Sequence, residues 1–136
     1  MAGDDLDVLK RTFAVMDSDT YEQELLPLVA EDFEMVTTSD LASEPDVYRG
    51  REGVRRWFAT FLEAMDRVVV RADRFHDISE NLVIVEFRLI ARGKASGIEA
   101  EQEAVSLATV RDGMVRRLEF FTEIAAARAA AGLPPS

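Results

Sequence analysis

The 136-residue chain carries 26 acidic and 16 basic residues, a formal charge of −10. That argues against a nucleic acid or an anionic membrane as partner, because either needs a basic surface. With no cysteine in the sequence, disulfides, thiolate metal sites and thiol catalysis are excluded.

The length and the 48% hydrophobic content predict one globular domain over residues 1–132, with a disordered tail at 133–136. The opening MAGDDLDVLK has no apolar signal core, and no run reaches the length of a membrane span, so a cytoplasmic protein is expected. Asp4 or Asp5 can cap a first helix, in which Leu6, Leu9, Phe13 and Met16 recur at helical spacing. Asp17-Ser18-Asp19 ends it and starts a second helix from Tyr21 to Val29, which Pro27 should kink or break. Phe33 to Thr37 reads as a strand, and Thr38 to Gly50, with Pro45, as a surface loop.

A long amphipathic helix follows, with Val54, Trp57, Phe58, Phe61, Leu62 and Met65 on one stripe. Val68 to Ile78 is a further strand. The chain from Asn81 to Thr122 then reads as three antiparallel strands. Val83, Val85, Phe87 and Leu89 alternate with polar residues in the first. Asp112-Gly113 is a hairpin signal between the second and third, because Gly accepts the positive φ of such turns. A four- to six-residue connection after Arg92 would bring Arg88 opposite Glu103 across the first pair. Ala125 to Ala131 is helical on propensity and stops at Gly132.

This order is an α+β plan in which a curled sheet wraps the long helix and the two N-terminal helices. Four stretches, AEDFEM, YRGREGVRRWF, RGKASG and VRDGMVRRLEFF, resemble in order and spacing the SnoaL-like branch of the nuclear transport factor 2-like superfamily. The resemblance implies a conical barrel, with a curled antiparallel or mixed sheet and a pocket between its concave face and the helices. It also implies a function of the SnoaL-like kind: binding or transforming a small, largely apolar organic compound, with isomerase, cyclase and hydrolase chemistry all represented. A non-catalytic ligand-binding module or a dimerisation module of the same fold is the alternative, and the sequence leaves open whether the chain is an enzyme.

Ketosteroid isomerase-like members use a Tyr and two Asp where this chain has Thr12, Thr37 and Ser106. None of these three is a base near neutral pH, so that mechanism is not expected. Glu86 and Arg88 share a strand face, as an epoxide hydrolase-like set would, but they alternate with the apolar residues and belong outside. His76, the only histidine, is the one catalytic candidate, provided it faces the pocket. With a single imidazole and no thiolate, neither a metal nor a cofactor is expected. Met35, Thr37, Tyr48, Trp57, Val85, Phe87, Ser106, Leu118 and Phe120 are the expected ligand-binding residues, an apolar wall with few hydroxyls. On the convex face Ile84, Val105, Leu107 and Phe121 are too apolar for solvent. They predict a homodimer through that face, with the C-terminal helix as the other candidate cover.

Overall fold

The computed structural model describes residues 3–37 and 46–134. In chain order it has α1 (Gly3–Ala14), α2 (Tyr21–Glu24), a 3₁₀ turn (Leu26–Leu28), β1 (Glu34–Thr37), β2 (Asp46–Arg49), α3 (Gly50–Leu62), β3 (Met65–Ser79), β4 (Leu82–Gly93), β5 (Glu99–Arg111), β6 (Met114–Phe121) and α4 (Ile124–Ala130). Pro27 lies in the 3₁₀ turn and has split the expected second helix, since it cannot supply the N–H that an α-helix needs there. Asp5 is inside α1 rather than capping it, and its carboxylate accepts the Gly113 N–H at 2.7 Å. Residues 46–49, expected in a loop, form β2, while residues 38–45 lie outside the described residues. Met65 begins β3 instead of closing the long helix. Leu133 and Pro134, expected in the tail, are tied back: the Leu133 N–H donates to the Arg128 carbonyl at 2.8 Å, and Arg128 Nε donates to the Pro134 carbonyl at 2.6 Å.

The strands form one sheet in the order β2-β1-β6-β5-β4-β3. β1 and β6 are parallel and every other neighbouring pair is antiparallel. Asp112 and Gly113 both take positive φ, 56° and 72°, in the two-residue turn between Arg111 and Met114. That is the primed geometry whose twist suits a hairpin. β3 carries three register shifts against β4, at Met65/Arg67, Ala72/Arg74 and Asp77/Ser79, and such bulges bend a strand and raise its twist. The result is a curled, unclosed α+β cone.

The concave face packs on the helices in one core: Leu9 and Phe13 of α1 and Val54, Trp57 and Phe58 of α3 meet Met35, Val83, Val85, Phe87, Leu118 and Phe120 of the sheet. The convex face carries a second cluster. Ile84, Val105, Leu107 and Phe121 are all buried there with Ala127 of α4, and Ile124, Ala126 and Ala131 pack against them. The expected dimer face is therefore covered by the chain's own C-terminal helix. The remainder of this face is a charge ladder. Arg88 does lie opposite Glu103, but its guanidinium bonds diagonally, to Asp73 at 3.0 Å and Glu101 at 2.8 Å. Among the described residues no helix is long and apolar enough to cross a membrane.

Candidate functional site: an aromatic cavity under α3

α3 reaches the concave face through two glycines. Gly50, at φ +64°, makes the sharp turn out of β2, and a Cβ there would approach the Glu31 carbonyl at 3.3 Å. Gly53 lies directly on β2: a Cβ would sit 2.5 Å from the Tyr48 carbonyl carbon. Any side chain at that position would push the helix off the sheet. With both in place, the α3 stripe faces the sheet, and Trp57 meets Phe120 in a stacked pair with ring centroids 5.9 Å apart. Trp57 also meets Phe61 at 4.8 Å and 64°, and Phe87 meets Phe120 at 5.6 Å and 66°.

Between these rings lies a cavity of about 110 Å³, bordered by Thr37, Tyr48, Trp57, Thr60, Phe61, Phe87, Leu89, Gln102, Ala104 and Phe120. Half of those ten are aromatic, which makes π faces and edges the dominant wall. Thr60 and Gln102 are exposed and mark the mouth. The polar groups are all neutral. The Thr37 hydroxyl is committed to the β2 backbone: it donates to the Asp46 carbonyl at 3.3 Å and accepts the Asp46 N–H at 3.1 Å. The Thr60 hydroxyl donates to the Trp57 carbonyl at 2.6 Å. Tyr48, Gln102 and the indole N–H of Trp57 are left as the side-chain groups with hydrogen bonds to offer. Behind Tyr48, the Arg56 guanidinium lies 4.3 Å from the ring centroid and donates to Asp46 at 2.7 Å. That hydrogen bond and the neighbouring N–H of Val47 hold the Asp46 carboxyl below its ordinary pKa, so the ion pair is neutral as a unit.

Of the residues expected to contact a ligand, Thr37, Tyr48, Trp57, Phe87 and Phe120 border the cavity. Met35, Val85, Ser106 and Leu118 do not. They are on the same face but fully buried in the floor of the core. The Ser106 hydroxyl has no hydrogen-bond partner among the described residues. Thr60, Phe61, Leu89, Gln102 and Ala104 were not expected as contacts. Leu89, Gln102 and Ala104 have the parity of Phe87 and Ser106 along their strands, and that was the signal available for them.

His76 is the largest correction. Val68 and Val70 are buried in the concave core and Ala72 packs against it, so simple alternation would send Arg74 and His76 inward too. The bulge between Ala72 and Arg74 reverses the parity. Phe75 packs inward against Phe13 at 6.2 Å, and His76 turns to the convex face, opposite Ile84. There its Nε2 lies 2.6 Å from Glu86 Oε2. No titratable acid or base from His, Asp, Glu, Lys or Arg borders the cavity among the described residues.

Known proteins agree with this architecture. A protein with a ketosteroid isomerase-like fold from Catenulispora acidiphila DSM 44928, solved in complex with trimethylamine, superposes at TM-score 0.69 with 18% identity, covering 95% of each chain. A Mycobacterium tuberculosis protein in complex with estradiol-17β-hemisuccinate gives TM-score 0.68 and 16% identity over 88% of this chain and 94% of that one. A nuclear transport factor 2-like protein of Burkholderia thailandensis E264 gives 0.70 and 22% identity over 98% and 100%. No curated protein matches the sequence. The model of the SnoaL-like domain matches residues 9–118, and the chain belongs to the SnoaL-like domain family.

Proposed function

We propose that the chain binds a small, largely apolar organic molecule in the cavity between α3 and the concave sheet face. The observation that carries this reading is the wall itself: five aromatic side chains around about 110 Å³, with only neutral polar groups at the rim. A closed apolar cavity of about 150 Å³ holds one benzene. The space here suits one small ring or a similarly compact group, with the rest of a larger ligand reaching out past Thr60 and Gln102. Tyr48 and Gln102 would fix its orientation by hydrogen bonds, the usual division between apolar walls and a few polar anchors. Two proteins of this fold were solved in complex with small organic molecules, one an amine and one a steroid ester, which supports a small-molecule ligand for this chain.

Binding is favoured over turnover. General acid–base catalysis needs a titratable group within about 3 Å of the reacting proton; the only imidazole lies on the other face of the sheet, and among the described residues the Tyr48 phenol is the one ionisable side chain that borders the cavity. The experiment uses Trp57, the sole tryptophan, as reporter. Toluene should change its fluorescence saturably, and Ala104→Leu, which fills the cavity, should abolish the change while the protein stays folded. An unaltered response in Ala104→Leu would place the binding elsewhere.

A further inference from the structure

The composition of the wall says more about the ligand than its polarity alone. Aliphatic side chains would serve a neutral hydrocarbon as well as rings do, yet only Leu89 and Ala104 among the ten bordering residues are aliphatic. Trp57 and Phe61 meet at 64° and Phe87 and Phe120 at 66°, while Trp57 and Phe120 lie within 28° of parallel. A compact group in the cavity therefore meets π density from more than one direction. Aromatic faces carry negative quadrupolar charge and attract a cation placed within about 6 Å of the ring centre, most strongly where water is excluded. Among the described residues no basic side chain borders the cavity, so none of them repels a cation there. Arg56, the cation against Tyr48, is offset by Asp46 at 2.7 Å. The chain as a whole carries −10, a field that concentrates cations around it.

We propose that the cavity takes the N-methylated ammonium head of a small organic cation. This rests on the reading of the cavity as a ligand site and adds the charge of the ligand to it. A tetraalkylated nitrogen has no N–H to satisfy, so neutral rim groups suffice. Its charge is spread over methyl groups that pack on rings as a hydrocarbon would. A primary ammonium would lose its hydrogen bonds to water in the same space, and a carboxylate would face the negative faces of the rings. Gln102, exposed at the mouth, would receive a hydroxyl or ester oxygen carried by the rest of the molecule.

The test compares choline with 3,3-dimethylbutanol, which has the same shape with carbon in place of nitrogen. Both are titrated at matched ionic strength against the full chain, by Trp57 fluorescence and by calorimetry. Choline should bind about tenfold more tightly, the size of one or two cation–π contacts. Phe87→Leu, which removes a π face and keeps an apolar wall, should weaken choline several-fold more than it weakens the alcohol. Equal or tighter binding of the alcohol overturns the proposal, and so does an equal effect of Phe87→Leu on both ligands. If toluene binds and choline does not, the ammonium inference fails while the cavity remains a ligand site. If none of the three binds, both readings fail together. Should the variant not fold, the comparison of the two ligands on the native chain still decides.

Discussion

His76 Nε2 lies 2.6 Å from Glu86 Oε2 on the convex face of the sheet, with the β-sheet itself between this pair and the cavity. An ionised carboxylate can only accept, so the imidazole nitrogen is the donor. Side chains that are 33% and 38% exposed share the pair with solvent, and such pairs contribute only about 0–1 kcal/mol. His76→Ala should therefore leave the affinity of any cavity ligand unchanged and shift stability by no more than that amount. Fluorescence titration of the variant checks the first statement. A lost response to ligand would mean that the two faces are coupled through β4.

Ser106 is fully buried between Val85 on β4 and Phe120 on β6, with a hydroxyl that has no partner among the described residues. A buried hydroxyl left unpaired costs about 1–3 kcal/mol of desolvation. Ser106→Ala removes the cost with little change in volume, so urea denaturation should show a variant as stable as the native protein or about 1 kcal/mol more stable. A clear loss of stability would reveal a hydrogen bond that the hydroxyl makes in solution.

The parts of the fold that depend on local pattern were legible in the sequence, and those that depend on summed volumes were not. Asp112-Gly113 fixed a two-residue turn, and from it the pairing of β5 with β6 follows. Alternation sorted Phe87, Ala104 and Phe120 to one face and Ile84, Leu107 and Phe121 to the other. β2 escaped because four residues, DVYR, with charges at both ends, look like loop until β1 is beside them to pair with. Met65 fits the apolar period of α3, so nothing in the pattern alone ends that helix at Leu62. The face of His76 turned on a single bulge at Asp73, which no side-chain period announces. Whether Phe87 and Phe120 border a cavity or close over one is decided by packing volumes. For the same reason Met35, Val85, Ser106 and Leu118 could not be told apart from the residues that border it.

Leu107 separates the two ways of covering the convex face. It is 7% exposed and packs in the cluster that includes Ala127, with Ile124 and Ala126 of α4 against it. α4 is IAAARAA, and its small side chains let the helix approach the sheet closely. Leu107→Glu would put a carboxylate under that helix, directly opposite Glu119 on β6. A buried unpaired charge is among the most damaging single changes. The variant should lose several kcal/mol of stability in urea denaturation, with α4 released, whatever the oligomeric state of the native chain. A variant of native stability that changes only its mass in light scattering would show instead that the face is an interface between copies.

Asp17 ties the end of α1 to the outer edge of the sheet and makes stability depend on acid pH. The Ser18 N–H donates to the Val68 carbonyl and the Val70 N–H to the Met16 carbonyl, each at 2.9 Å, so residues 16–18 cover part of the β3 edge, which would otherwise offer open backbone groups. The Asp17 carboxylate accepts the Asp19 N–H at 2.9 Å and Arg67 Nη2 at 2.9 Å. Burial by itself would raise its pKa. The hydrogen bonds from Arg67 and Asp19, with the charges of Arg67 and Arg71, outweigh that and leave it below the ordinary value. A carboxyl whose pKa is lower folded than unfolded stabilises the fold fully above the unfolded pKa of about 4, and that contribution disappears as pH falls through the lower, folded value. Asp17→Asn keeps the shape and removes the charge. Because Arg67 is 44% exposed, the loss near neutral pH should be modest, about 0.2–1 kcal/mol. The difference from the native chain should shrink as urea denaturation is repeated at pH values falling from 7 to below the unfolded pKa of about 4. A difference that stays constant across that range would show that Asp17 holds the β3 edge by hydrogen-bond geometry alone and not by its charge.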